Sequence, residues 1–158
     1  MTLFGQFDLL RLLQQHEVPF VIVGGHAVTF HGYVRATEDV DVVWVRSPEA
    51  EAALLRALAA ANARWIADDL DPATGLERLV PVTGPYIGAT RLMMLLTDFG
   101  FLDLFDYVPG CADADPRELL ASAVEHDGLH YARLDWLRRM KQAAGRPKDL
   151  DDLQNLVD

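Results

Sequence analysis

An apolar run that ends in two glycines constrains the fold of this chain more than any other part of its sequence. Residues 21–23 read Val-Ile-Val and are followed directly by Gly24 and Gly25. Such a run predicts a short buried strand. The glycines indicate that the strand stops where the backbone turns sharply or comes close to another group, because glycine has no side chain and tolerates unusual backbone angles.

Two aspartates follow in the next apolar segment. Asp39 and Asp41 flank Val40, and the segment continues to Val45. In a strand, residues two apart point to the same face, with Cα atoms about 6–7 Å apart. Two such carboxylates can converge on one divalent ion, or on two ions that clamp a phosphoryl group. An isolated Asp-x-Asp is weak evidence, but glycines and paired acids together favour a site for a metal and a nucleotide triphosphate.

A third acid interrupts a later apolar strand. Asp103 lies between aromatic and aliphatic residues, and an ionised carboxylate on a buried face is costly unless it is paired or binds a metal. Asp106 has the same apolar neighbours and lies on the opposite face by alternation. Only one of the two can point at Asp39 and Asp41. We favour Asp103, because Asp106 is nearer the strand end, where solvated acids are ordinary.

Composition limits the class of protein. The chain has 158 residues, of which 51% are hydrophobic, and this predicts a single globular domain with a substantial core. No segment approaches the roughly 18 apolar residues of a membrane span, so we expect no membrane association. The one cysteine, Cys111, excludes an internal disulfide and predicts a reducing, cytoplasmic location.

The charge is acidic overall but uneven along the chain. A net charge of −10 argues against non-specific binding to nucleic acid and favours a cationic second substrate. Six of the fourteen basic residues nevertheless lie between Arg133 and Lys148, and the only two lysines, Lys141 and Lys148, are among them. This stretch either faces a phosphate group or is a solvated helix face.

The order of the predicted elements indicates an α+β fold, a mixed β-sheet with helices packed on it. Strands are expected at 20–24, 40–45, near 65–66 and 79–80, at 91–96, 101–108 and 128–134, and helices at 7–16, 26–31, 47–61, from 115, at 135–144 and 148–157. Residues 71–72 and 84–85 are predicted turns. We expect one domain over 1–158, with a core at about 18–110 and a C-terminal helical segment at about 115–158.

The pattern of Gly24-Gly25, a thirteen-residue spacer, Asp39-Val40-Asp41 and a later isolated acid resembles the nucleotidyltransferase superfamily with the DNA polymerase β-like fold. The string from Val23 to Asp41 is similar to small prokaryotic nucleotidyltransferase-like proteins related to the abortive-infection toxins of toxin–antitoxin systems. The tail from Met140 to Leu150 is similar to the closing segment of the same group. The resemblance covers about residues 18–157, with a poorly matched middle.

The resemblance implies roles for individual residues. Gly24 and Gly25, with the helix after them, would hold the triphosphate. Asp39 and Asp41 would bind two Mg²⁺ ions, and Asp103 would hold the catalytic ion and serve as general base. These roles come from the family and not from the periodicity of the chain.

Basic residues supply further candidate contacts to the nucleotide. Arg35 lies in the loop before the first acid, and Lys141 and Lys148 lie in the basic stretch. Each either contacts phosphate or has a structural or solvated role, and the lysines could also grip an acceptor RNA. Many members of the family have Gly-Ser where this chain has Gly24-Gly25, so a hydroxyl that could contact phosphate or metal is absent here.

The reaction implied is transfer of a nucleoside monophosphate from an NTP to a hydroxyl, with release of pyrophosphate. The acceptor stays open among an RNA end such as that of tRNA, a protein, and a cationic small molecule. The alternative is a catalytically weak or inactive nucleotidyltransferase-like module, of binding or antitoxin type, that acts through a protein partner. A Rossmann fingerprint and a P-loop are excluded, since neither glycine pattern is present and no lysine precedes Lys141.

Overall fold

The computed structural model describes the backbone of residues 3–156 and the side chains of residues 5–156. Within this range the chain forms seven helices and eight strands. In chain order they are α1 (Leu3–Gln15), β1 (Phe20–Val23), α2 (Gly24–Phe30), β2 (Asp39–Trp44), α3 (Pro48–Ala60), β3 (Arg64–Leu70), β4 (Glu77–Pro81), α4 (Gly84–Ala89), β5 (Leu92–Thr97), β6 (Gly100–Phe105), α5 (Pro116–Ala121), β7 (Val124–His126), β8 (Leu129–Tyr131), α6 (Leu134–Ala144) and α7 (Pro147–Asn155).

The strands form one mixed sheet in the order β4-β3-β5-β6-β2-β1-β8-β7. β2 is parallel to β6 and β1 is parallel to β8, whereas the other neighbours are antiparallel. Helices pack on this sheet, and two of them, α6 and α7, follow its last strand. The prediction of an α+β fold with a mixed sheet and C-terminal helices is confirmed.

One face of the sheet, called here the core face, carries the main hydrophobic core. Val42 of β2 and Leu104 of β6 point into it and are fully buried. Helices α1, α3 and α4 cover this face, with side chains such as Leu54. Helix α3 begins as predicted, because the Ser47 hydroxyl accepts a hydrogen bond from the Ala50 N–H at 3.0 Å.

The opposite face, called the site face, is only partly covered. Over β1 and β2, Val21 and Val43 pack with Leu119 of α5 and Met140 of α6 in a second apolar cluster. Over β3 and β5 this face is bare where Ile66 and Met94 project, since both side chains are exposed. The predicted acids sit on the site face, at the border between its covered and bare halves.

The structure corrects two local predictions. Asp127 and Gly128 have φ of +52° and +77°, which is the turn expected for an Asp-Gly hairpin, and this turn adds strand β7, which the sequence analysis missed. Gly84-Pro85, predicted as a turn, instead begins α4, because the Thr83 hydroxyl accepts from the Tyr86 N–H and proline suits the first helical turn.

The end of the last predicted helix, at residue 157, lies outside the described residues. Over the part of the chain that the structure covers, none of the helices combines the length and the apolar character needed to cross a bilayer.

Candidate functional site

Strand register brings the three predicted acids to one place. The parallel pairing of β2 with β6 sets Asp41 directly opposite Asp103 and Asp39 opposite Phe101. Lateral neighbours share a face of a sheet, so all three carboxylates project from the site face. They line one cavity, together with Gly24.

The carboxyl groups of Asp41 and Asp103 lie close enough to share a hydrogen bond, so each affects the pKa of the other. Burial, followed by the charge of Asp41 and the hydrogen bond to it, raises the pKa of Asp103 to about 7, although Lys148 opposes the shift. Burial also raises the pKa of Asp41, against the lowering effect of the Asp103 hydrogen bond. The pair therefore holds a proton to higher pH than ordinary aspartates do.

Asp106, the alternative third acid, lies elsewhere and has other partners. Its carboxylate accepts from Arg46 Nε at 2.9 Å and from Arg91 Nε at 3.1 Å. Arg46 also donates to the carbonyl oxygens of Ile87 and Thr90 at the end of α4. Asp106 thus anchors the end of β6 to neighbouring elements. It is an ion-paired acid and not the solvated one that the sequence analysis expected, and it does not join Asp39 and Asp41.

Glycine is required at both positions after β1, because neighbouring side chains leave no room for a Cβ atom there. Gly24 has φ of +64°, and a Cβ placed there would collide with the Asp41 carboxylate. A Cβ at Gly25 would overlap the methyl group of Thr37 and come within 3.1 Å of Arg35 Nη1. The space that a serine side chain would need at position 25 is therefore occupied by Thr37. This contact gives a steric reason for glycine at position 25 of this chain.

Thr37 is held from the other side by the first helix, a contact that sequence analysis did not find. Its hydroxyl lies 3.3 Å from Gln6 Oε1 and 3.3 Å from His26 Nε2. Gln6 Nε2 donates to the carbonyl oxygens of Thr37 and Glu38 at 3.1 and 3.3 Å. Burial, and secondarily the charge of Arg35, lowers the pKa of His26. These contacts fix the loop that leads into Asp39.

A buried ion network joins the end of α6 to α7 and to this loop. Lys141 Nζ lies 3.2 Å from Asp149 and 2.9 Å from Asp152, and both carboxylates are fully buried. Arg35 donates to both oxygens of Asp152, at 2.7 and 2.8 Å. Arg146 donates to Asp149 at 2.7 Å. Burial would raise the pKa of Asp149 and Asp152, but hydrogen bonds from the basic groups outweigh it and hold both values low.

The network pairs two of the three basic residues that were predicted to contact the nucleotide. Arg35 and Lys141 do line the cleft, but their charges are already paired with carboxylates inside the protein. Lys148 is exposed, lines the cleft, and has no ion-pair partner within residues 5–156. Its charge acts on Asp41 and Asp103 through space.

Arg146 also lines the cleft, and the sequence analysis did not name it as a site residue. A signal was available. Asp149 and Asp152 are three residues apart, so they lie on one face of a helix and can hold basic groups from a neighbouring helix. Arg146, just ahead of that helix, was the natural partner.

The site consists of two adjoining cavities that share Gly24, Asp39 and Asp41 as lining residues. One, of about 170 Å³, contains Asp103 in its wall, and the other, of about 340 Å³, runs along the loop at Arg35. Together they reach the 300–1,000 Å³ typical of small-molecule sites. Lys141, Arg146 and Lys148 line both cavities, so basic groups face the whole cleft, and the end that holds Asp103 is called here the acidic end.

The donor chemistry of the acidic end fits a hard cation. Carboxylate oxygens are the ligands that Mg²⁺ prefers in proteins, and two carboxyls that share a proton are a pair whose repulsion a divalent ion would relieve. Within the described residues, however, no group of three or more His, Cys, Asp or Glu side chains stands in a ready-made metal-binding arrangement. Asp41 and Asp103 are paired with each other, and Asp39 lines the same cavity.

Fold and site together describe an α+β domain with a mixed sheet whose acids lie beside a glycine turn. The sequence matches no protein-family model, and it matches no curated protein. The structure is similar to the crystal structure of JHP933 from Helicobacter pylori, with a TM-score of 0.50 and 17% sequence identity over 99% of this chain and 67% of that one. At this identity the likeness concerns the fold alone.

A second crystal structure, of a protein from H. pylori provisionally described as a nucleotidyltransferase, is also similar, with 17% identity over 87% of this chain. The match covers 56% of that protein, and its TM-score of 0.45 is too low to support an argument. The function of this chain therefore has to be argued from its own site.

Proposed function

We propose that this protein is a Mg²⁺-dependent nucleotidyltransferase that moves a nucleoside monophosphate from an NTP to a hydroxyl acceptor. The observation that carries the proposal is the register of β2 and β6, which sets Asp41 against Asp103 beside Gly24. The resemblance of the Gly-Gly and Asp-Val-Asp segments to that superfamily supports the same assignment.

Several groups in the cleft would suit the phosphates of a nucleotide. Gly24 and Gly25 line the cavity with backbone atoms alone, since neither residue has a side chain. Lys148 and the outward edge of Arg146 supply positive charge for the phosphates. Arg35 contributes to their field from the wall of the cleft, although its guanidinium is held by the protein.

The chemistry follows from the acids. Asp39, Asp41 and Asp103 would hold Mg²⁺, two ions in the family pattern, which neutralise phosphate charge when bound. Asp103 would accept the proton of the acceptor hydroxyl as that oxygen forms a bond to the α-phosphorus. The bond between the α-phosphorus and the bridging oxygen breaks, and pyrophosphate leaves.

The test is calorimetric titration of the purified protein with each of the four NTPs, with and without Mg²⁺. We expect metal-dependent binding of at least one NTP. Asp41→Asn should weaken it about tenfold or more, because a charged ligand to the metal is lost. Asp113→Asn removes an exposed carboxylate outside the cleft and should leave the affinity unchanged.

The alternative function, an inactive module that binds a protein partner, is favoured by one observation. The charges of Arg35 and Lys141 are already satisfied within the protein, which leaves less positive charge for a triphosphate. If the folded protein binds none of the four NTPs in Mg²⁺, the proposal of transfer activity fails and the binding module remains.

A further inference from the structure

The bare half of the site face continues directly from the acids. Read across the strands, the registers place Leu79 of β4 beside Ile66 of β3, and Met94 of β5 beside Asp103 of β6, which faces Asp41. The β3–β5 register, Arg64 with Leu96 and Trp65 with Leu95, carries on to put Ile66 beside Met94. One row of side chains therefore runs from three apolar residues to two acids.

The distances along this row follow from the spacing of strands in a sheet. Neighbouring strands lie about 4.7–4.9 Å apart, so Met94 is about 5 Å from Asp103 across the sheet, Ile66 about 10 Å and Leu79 about 14 Å. A second row parallel to it runs from Leu96 to Phe101 and Asp39. The apolar surface begins one strand away from the acids.

The apolar side chains of this surface are exposed to solvent. Met94 is 63% exposed, Phe101 50%, Ile66 44% and Leu79 38%. Single exposed apolar residues are ordinary, but a contiguous group beside a site marks an interaction surface. We call these four residues the apolar platform.

The charges around the apolar platform are mainly acidic. Asp68 and Glu77 are exposed on β3 and β4, and Asp98 is exposed in the β5–β6 turn. Arg64 is the basic residue of the two rows, and its Nε donates to the carbonyl oxygen of Asn62. A surface of this kind repels a nucleic-acid backbone and complements an apolar patch edged with Lys and Arg.

The basic stretch of the C-terminal region does not supply a nucleic-acid surface in its place. Arg133 is paired with Asp135, and Lys141 with two buried carboxylates. Arg139 lies over the ring of Trp136. Much of the positive charge that suggested an RNA acceptor is thus used inside the chain.

We propose that the apolar platform docks a protein acceptor, one whose contact surface is apolar with a basic edge and which presents a serine, threonine or tyrosine hydroxyl to Asp103. This inference rests on the proposed nucleotidyltransferase activity and names its substrate class. The side-chain oxygen of the acceptor bonds to the α-phosphorus, its proton passes to Asp103, and the NTP loses pyrophosphate, so the product is a protein phosphodiester.

The test follows label from each α-³²P-labelled NTP into macromolecules, in a desalted extract of the cells that make the protein, with Mg²⁺. Samples are then treated with ribonuclease or with protease. The decisive variant is Ile66→Lys/Leu79→Lys, which changes two platform residues one and two strands beyond Met94. The control Val124→Lys adds one lysine at an exposed site on β7, at the far edge of the sheet.

We expect a labelled product that resists ribonuclease and is lost with protease. The double variant should label it about tenfold more slowly, because apolar contacts are lost and lysines face a basic edge. Its NTP affinity and thermal unfolding should match the wild type, and Val124→Lys should label normally.

The substitutions also separate the two macromolecular acceptors. Added lysines strengthen binding to a phosphate backbone, so an RNA acceptor would be labelled faster by the double variant, and its label would be lost with ribonuclease. That result overturns the inference, as do equal protein labelling by the variant and binding of NTP without any labelled protein. In each of these cases NTP still binds, whereas failure of the proposed function is seen as absence of NTP binding.

Discussion

The two halves of the site face belong to the same sheet, but helices cover one half and solvent reaches the other. Over β1 and β2, apolar residues such as Val21 and Val43 are sealed by α5 and α6. Over β3 and β5, residues of similar character, such as Ile66 and Met94, are exposed. The acids lie on the line between the halves.

The difference suggests a division of roles, in which the covered half stabilises the fold and the bare half contacts a partner. The covered half carries packing and a buried ion network, and both hold α6 and α7 at the wall of the cleft. The bare half contributes little to stability and leaves open the approach to Asp103. We expect substitutions in the two halves to act on different properties, unfolding in the first and acceptor transfer in the second.

The largest expected effect comes from the ion network of the covered half. Asp152→Ala should lower the free energy of unfolding by about 3 kcal/mol or more, because Arg35 loses its partner and Lys141 keeps only Asp149. The comparison is an exposed ion pair on β3 and β4, where Asp69→Ala removes the partner of Arg78 and should cost less than about 1 kcal/mol. Urea unfolding measures both. Equal losses would show that the buried network stabilises the fold no more than an exposed pair does.

Apolar packing should show the same contrast. Leu119→Ala removes a fully buried side chain of α5 and should cost about 2–5 kcal/mol through lost contacts and a cavity. Met94→Ala removes an exposed side chain and should change stability by no more than about 0.5 kcal/mol. Thermal and urea unfolding of the two variants are compared directly. A large loss for Met94→Ala would mean that the bare half is packed against something in solution.

At the border between the halves, Gly25→Ser should cost about 1–3 kcal/mol, since its Cβ meets the Thr37 methyl group. Thr37→Ser removes that methyl group and keeps the hydroxyl. The double variant should therefore recover part of the loss, with a coupling energy of about 0.5 kcal/mol or more in a double-mutant cycle. Additive losses would contradict the steric explanation of the Gly-Gly pair.

A further stability effect concerns Asp103 and depends on pH. Its pKa in the folded protein is about 7, above the ordinary Asp value, so the folded state binds more protons than the unfolded state between about pH 4 and 7. The contribution to stability is present below the unfolded pKa and is lost as pH rises through about 7. Screening of a group that is partly exposed reduces the effect to about 1–2 kcal/mol.

Asp103→Asn should therefore remove this decline. In EDTA, the variant should gain stability relative to the wild type at pH 8 but not at pH 4, as measured by urea unfolding at the two pH values. A gain that is the same at both pH values would show that the raised pKa does not govern the stability of the pair.

Local patterns accounted for much of the fold. The capping of α3 by Ser47, the β5–β6 hairpin and the strand that ends at Gly24 are confirmed, since each depends on residues close in sequence. β7 was missed because its three residues carry no apolar alternation and its one signal was the Asp127-Gly128 turn. A short exposed strand forms only because a partner strand is present.

The site divides in the same way. Alternation could place Asp103 and Asp106 on opposite faces, but only the register of β6 with β2 shows which face holds Asp41. The sequence was enough to single out Lys141 as a candidate contact to phosphate. That its charge is taken by Asp149 and Asp152 depends on how α6 and α7 pack, which no spacing within one helix reveals.

The sequence by itself determined the elements, the glycine turn and the set of candidate acids, because periodicity, capping and backbone freedom act over a few residues. Only the tertiary structure decided which acid joins the pair, which cations remain available and which half of the sheet stays bare. These depend on strand order and helix packing between residues distant in sequence. The apolar platform beside Asp103 is the clearest case, since its members come from four strands and no single strand shows that they lie together.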